Sequence, residues 1–178
     1  EIEQLSQEIA VRQREHEDAL ARLQTIPGVG RRTAEVILAE VGADMSRFPT
    51  AGHLASWAGL CPGQDESAGK RRSGRTRKGS PALRDALTEA GRAAARTRRS
   101  YLAAQYRRIA ARRGANRAAV AVAHSIIVIA YHLLTKGGAY EDLGANYFDE
   151  RDKTSTVNRA VARIRRLGFE VTVTPAAA

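Results

Sequence analysis

The sequence predicts a mainly α-helical protein, and three observations carry that prediction. Apolar residues recur three and four apart in successive stretches, glycine and proline punctuate the gaps between them, and a strand-like pattern is confined to Phe169 to Val173 near the end of the chain. With 178 residues and 43% hydrophobic content, one ordinary core is expected. The predicted layout is a coiled-coil helix over 1–24, a helix-hairpin-helix and helical core over 25–143, and a tail over 144–178 with a basic helix and a short strand.

The first helix rests on Ile2, Leu5, Ile9, Arg12, His16, Ala19, Leu23 and Ile26, alternately three and four apart, a heptad seam interrupted by Arg12 and His16. It starts without a helix-start signal, so a helix continuing upstream is expected, and with it a homo-oligomer, dimer or tetramer, built through this segment. In "TIPGVGRRTAEVILAEVG", Pro27, Gly28 and Gly30 stop that helix and a second runs from about Arg32 to Val41. A Gly-x-Gly turn between helices allows close approach of a backbone, and the amides opening the second helix suit a phosphate oxygen. The candidate phosphate-binding residues here are Gly28, Val29, Gly30, Arg31 and Arg32; the competing reading of the turn is packing alone.

Thr50 is placed to cap a short helix, "AGHLASWAGL", in which Leu54 and Trp57 are expected in the core and His53 at the surface. A loop from Cys61 to Gly79 ends at Ser80 and Pro81, a cap followed by proline at the first helical position. The helix that follows places Leu83, Leu87, Ala90 and Ala94 on one face and is expected to continue through Tyr101, Leu102 and Ile109 until Gly114 and Asn116 break it. From about Arg117 to Thr135 comes an apolar helix with Val120, Ala123, Ile127, Ala130 and Leu134 at helical spacing. Its apolar run is interrupted by His124, Ser125, Tyr131 and His132 and falls short of the roughly 20 residues a membrane span needs, so it reads as a buried core helix. His124 and His132 have no evident third ligand, and no metal site is expected in this chain.

Charge narrows the function. The formal net charge is +10, and from Lys70 to Arg117 sixteen Lys and Arg face only Asp85 and Glu89. Such clustering is the footprint of a polyanionic partner, and DNA is the partner expected. Residues 1–24 carry six acids against three arginines, so the first helix is not that surface. The single cysteine, Cys61, excludes an internal disulfide and reads as a small buried residue, and no apolar leader opens the sequence; both fit a cytoplasmic, nucleoid-associated protein.

Three motifs in order, "IPGVGRRTA", "HLASWAGLCP" and "ESAGKRRSGRTRKGSPALRDAL", closely resemble the C-terminal transposase domain of the DEDD-type insertion-sequence transposases, a family that includes Piv-like DNA invertases and bridge-RNA-guided recombinases. The segment "GANYFDERD" also resembles an ending common in that family. The resemblance implies a serine recombinase in which a RuvC-like domain supplies four acidic ligands, expected to hold Mg2+, and a serine in this domain attacks DNA. Carried over, that serine is Ser67, and Lys70, Arg71, Arg72, Arg75, Arg77 and Lys78 become candidate grips on DNA or guide-RNA phosphates. Read from the residues alone, Ser73, Thr76 and Ser80 compete with Ser67. The RuvC-like pattern is missing from these residues, so the chain alone is expected to be inactive and to need no cofactor itself. The alternative is a non-catalytic helix-hairpin-helix DNA-binding module; an assembly piece is a third.

Overall fold

The computed structural model describes residues 3, 4, 8, 14–63, 65–73, 76 and 78–174. Of the predicted heptad seam, Ile2, Leu5, Ile9 and Arg12 lie outside the described residues. Helix α1 (Glu17–Gln24) buries Ala19, Leu20 and Leu23, and α2 (Arg31–Val41) buries Ala34, Ile37, Leu38 and Val41 against it. These are the three-and-four spacings of one apolar stripe per helix. The turn between them is closed by Thr25 N–H and Ile26 N–H donating to Arg22 and Leu23 carbonyls at 3.1 Å, and by Val29 N–H donating to Ile26 O at 3.0 Å.

Asp44 accepts from Ser46 N–H at 2.8 Å and starts a 3-10 turn, Met45–Arg47; those bonds hold its carboxyl below the usual range. Helix α3 (Ala51–Trp57) begins at Thr50, whose hydroxyl accepts from His53 N–H, and ends in a Schellman cap: Leu60 N–H reaches Ala55 O at 3.0 Å, Gly59 N–H reaches Ser56 O at 3.1 Å, and Gly59 takes a φ of 69°. Two short strands follow, β1 (Asp65–Ser67) and β2 (Lys70–Ser73), paired antiparallel.

Ser80 and Pro81 start α4 (Pro81–Ala94) as the sequence predicts, with the Ser80 hydroxyl accepting from Leu83 N–H at 3.3 Å. The helix does not run on through Tyr101. It breaks at 95–100, where Arg99 has a φ of 57° and the buried Ser100 caps a new helix, α5 (Tyr101–Arg113), by accepting from Ala103 N–H at 3.2 Å. The bend lets both α4 and α5 lie on the 22-residue α6 (Ala115–Lys136), which also receives α1 and α3 and is the centre of the molecule. Its buried stripe is Ala119, Val122, Ala123, Ile126, Ile127, Ala130 and Leu133; Val120 and Leu134, expected on it, are half-buried at its margins. Among the described helices α6 alone is long and apolar enough to cross a membrane, but that stripe is covered by the surrounding helices.

After α6 the chain straps back across the molecule. Tyr140 N–H donates to Thr25 Oγ1 at 2.8 Å, and Asp142 accepts from Tyr101 N–H at 2.9 Å, supplying the N-terminus of α5 with a second cap from 41 residues away. Burial, the Asp142 carboxylate and its hydrogen bond all push the Tyr140 phenol up. Helix α7 (Tyr147–Arg151) docks on α5 with Phe148 stacked on Tyr101 at 5.1 Å and Arg108 over the Phe148 ring. Burial, then Tyr147, raises the Tyr101 phenol's pKa against the opposing Arg151. Helix α8 (Lys153–Arg165) buries no residue and packs on α7. The strand predicted at Phe169 to Val173 does not form; the segment finds no partner strand among the described residues, and the ladder bonds that would stabilise a strand are missing.

Candidate nucleic-acid interface and nucleophile

The turn between α1 and α2 brings the five predicted phosphate contacts into one place but gives them different tasks. Gly28, with a φ of 87°, presses on α4: a Cβ there would meet Ala90 O at 2.3 Å and Ala94 N at 2.5 Å. Its missing side chain therefore serves packing. Val29 is buried. Gly30 precedes α2 with open space where a Cβ would stand, and no side chain caps the first amides of the helix. That is the arrangement in which a helix terminus accepts an anion.

Arg31 is already engaged. Its guanidinium donates to both carboxylate oxygens of Glu17 at 2.7 and 2.8 Å and to Glu35 at 2.9 Å, which pushes its pKa further up and holds Glu17 below the usual carboxylate range. Arg32 shares Glu35 at 3.3 Å and keeps 68% of its side chain exposed. Of the two cations, Arg32 is the more exposed.

The segment read from sequence as a loop is a hairpin. Its register pairs Asp65 with Ser73, Glu66 with Arg71 and Ser67 with Lys70, with an irregularity after Asp65. Ala68 and Gly69 form the two-residue turn with φ of 50° and 73°, the pair of positive values that a type I′ hairpin requires. Ser67 is thus the last strand residue before the turn, and Lys70 is its register partner. Lys70, Arg71 and Arg72 lie on β2, and Arg75 and Arg77 fall outside the described residues. Lys78 is exposed. At its base the segment is closed by a Pro62–Thr76 bridge and by Gly79, whose Cβ would meet Ala58 C at 2.5 Å and Gly59 N at 2.6 Å.

Ser80 is held by its capping bond, and Cys61 is half-buried rather than buried. His53 is exposed, with Nδ1 2.8 Å from Thr50 Oγ1. Burial lowers the His124 pKa, favouring the neutral ring. No three His, Cys, Asp or Glu gather as a metal-binding group among the described residues. Cations that sequence reasoning did not single out as contacts, Arg107, Arg113 and Arg117, are exposed along the end of α5 and the start of α6. Only the run of charge could have indicated them.

A family model described as "Transposase IS116/IS110/IS902 family" matches residues 20–107, a span that takes in the turn, the hairpin and α4. Over residues 20–107 the chain is similar to the transposase domain of the IS110 family. Over 123 residues it is 35% identical to the transposase for insertion sequence element IS1111A of Coxiella burnetii, covering 67% of this chain and 34% of that protein. It is 62% identical over 40 residues to an insertion element IS110 uncharacterized protein of Streptomyces coelicolor, 22% of this chain and 10% of that one. The pilin gene-inverting protein of Moraxella bovis is 49% identical over 45 residues, 25% of this chain and 14% of that protein. The chain spans about a third or less of the length of these curated relatives. Both candidate sites, the helix turn and the hairpin, fall inside the matched span.

Proposed function

We propose that this chain is the C-terminal half of an insertion-sequence transposase or recombinase, which binds DNA backbone and supplies Ser67 as the nucleophile of strand cleavage and exchange. The observation that carries the reading is the register of the hairpin within the family-matched span: Ser67 at the turn, across from Lys70, at the head of a run of cations. The α1–α2 turn acts as a helix-hairpin-helix, offering the first amides of α2, which no side chain caps, and the Arg32 cation to a phosphate.

In the reaction, the Ser67 hydroxyl oxygen attacks phosphorus, a 5′-phosphoserine bond forms and a 3′-hydroxyl leaves with a proton. One phosphodiester replaces another, so rejoining reverses the step without an energy source. The serine must lose its proton to a base, and the negative charge on the phosphorane must be offset. The β2 cations meet the second need, arginine through paired hydrogen bonds. For the first, the described residues offer no metal donor set, and the Mg2+ expected of a RuvC-like domain would have to be held by other residues. A guide RNA and a homo-oligomer are parts of the same reading and draw on the family resemblance and the predicted first-helix seam.

The deciding experiment traps a covalent protein–DNA adduct on a suicide substrate with the full-length protein and maps it by peptide mass spectrometry. Ser67 is the expected site, and Ser67→Ala abolishes exchange while leaving DNA affinity within about two-fold, since one hydroxyl contributes little where several charges bind. An adduct on Ser73, Thr76, Ser80 or a tyrosine would refute the assignment. A fully active Ser67→Ala protein would leave a DNA-binding module.

A further inference from the structure

We infer that Trp57 is a stacking platform for an unpaired nucleobase beside the cationic hairpin, a site that rests on the nucleic-acid reading above but is distinct from the phosphate contacts. Trp57 is the one tryptophan of the chain, and it is 44% exposed although its helix neighbours Leu54, Ala55 and Ala58 are fully buried. The exposure is not looseness. Its ring meets the Phe48 ring edge-on at 5.7 Å and 61°, the Phe48 carbonyl accepts from the Tyr131 hydroxyl of α6 at 3.0 Å, and the Schellman cap fixes the backbone two residues on. A ring held in place before its ligand arrives gives up little freedom on binding.

Its position points to the ligand. Ala58 and Gly59, the next residues, are those whose backbone Gly79 presses against, so the end of the cationic segment packs on the turn that directly follows Trp57. Around Trp57, α3 exposes His53 and Ser56, and among the described residues the other large exposed apolar ones lie at Leu143 and from Ile164 to Val173. A single exposed aromatic in polar surroundings does not make the contiguous apolar patch that a protein partner would cover. An aromatic face next to backbone-binding cations is the combination that holds unpaired bases, and it tolerates any sequence because every base has a π face. Exchanging strands breaks base pairs where the strands part, and the indole offers a stacking neighbour to a base left unpaired there.

The sole tryptophan is its own reporter. Three labelled duplexes are compared at low salt: fully paired, interrupted by one bulged base, and bulged with an abasic nucleotide. Anisotropy is expected to show all three bound. Emission of Trp57 is quenched by the bulged base alone, and the bulged duplex binds about ten-fold more tightly than the paired one. Trp57→Leu, which keeps apolar contact with Phe48, binds the paired duplex as wild type and loses the preference, whereas Trp57→Phe keeps most of it; circular dichroism verifies that both fold. Equal quenching by all three duplexes, no quenching despite binding, or a retained preference in Trp57→Leu would each overturn the inference. Failure of every duplex to bind would instead overturn the nucleic-acid reading, and the stacking site with it.

Discussion

Gly28 and Gly30 stand two residues apart in one turn and answer opposite demands. Gly28→Ala forces a side chain into α4 and into a left-handed backbone, and is expected to cost about 2–5 kcal/mol. Gly30 has a φ of −85°, which any residue adopts, and open space around it. Gly30→Ala should therefore leave the melting temperature nearly unchanged and, if a phosphate approaches there, weaken DNA binding several-fold; thermal melts and anisotropy on the same samples separate the two. Arg31 yields a prediction of the opposite sign. Glu17 binds its guanidinium bidentately while Glu35 holds only Nε, so Glu17→Gln should free the two terminal nitrogens and raise DNA affinity a few-fold at low salt. Because the folded pKa of Glu17 is lowered, the ion pair is intact above the ordinary carboxylate value and is lost as pH falls through the lowered one. The affinity gap between the two proteins should narrow on acidification through that range, and an affinity in Glu17→Gln no higher than wild type would mean that Arg31 does not reach DNA.

Among elements, the contact of α4 with α6 depends on small residues. Gly91 lies against Ala119, where a Cβ would meet the carbonyl oxygen at 2.6 Å. In an isolated helix Gly→Ala stabilises by about 1 kcal/mol. Here Gly91→Ala must push α4 away from α6, and a net destabilisation of about 1–3 kcal/mol is expected in chemical denaturation. The same elements show what a sequence discloses. The caps at Thr50 and at Ser80–Pro81 were legible because a side chain bonds to backbone three residues on, a relation contained in the local sequence. The break between α4 and α5 was not, although Ser100 makes the same local cap, because Arg99 supplies a positive φ where no glycine or proline marks the gap and Asp142 adds a second cap from far along the chain. Nor was the hairpin: β1 and β2 have no alternating apolar residues, and its turn uses Ala68 where asparagine or glycine is usual. The pairing of Glu17 with Arg31 and the exposure of Trp57 are likewise set by tertiary packing, which periodicity does not report.

At the scale of the whole molecule, a net charge of +10 concentrated after Lys70 would make the proposed association with DNA an ion-exchange process. With about six phosphate contacts, affinity should fall on the order of a thousand-fold between ~50 and ~200 mM salt. A flat dependence in a filter-binding or anisotropy titration would mean that these cations do not meet phosphates. Residues 1–24 carry six acids against three arginines, so this part of the sequence attracts a polyanion less than the stretch after Lys70.

The central place of α6 also has a consequence during synthesis. It is the last large helix of the body to be made, yet α1, α3, α4 and α5 bury their apolar faces on it. Until Leu133 has left the ribosome, Leu54, Leu83, Leu87 and Leu102 lack the surface that covers them in the finished protein. The nascent chain therefore carries several half-made, sticky helices and closes them together in one late step, the interval in which a chaperone would find the most to hold.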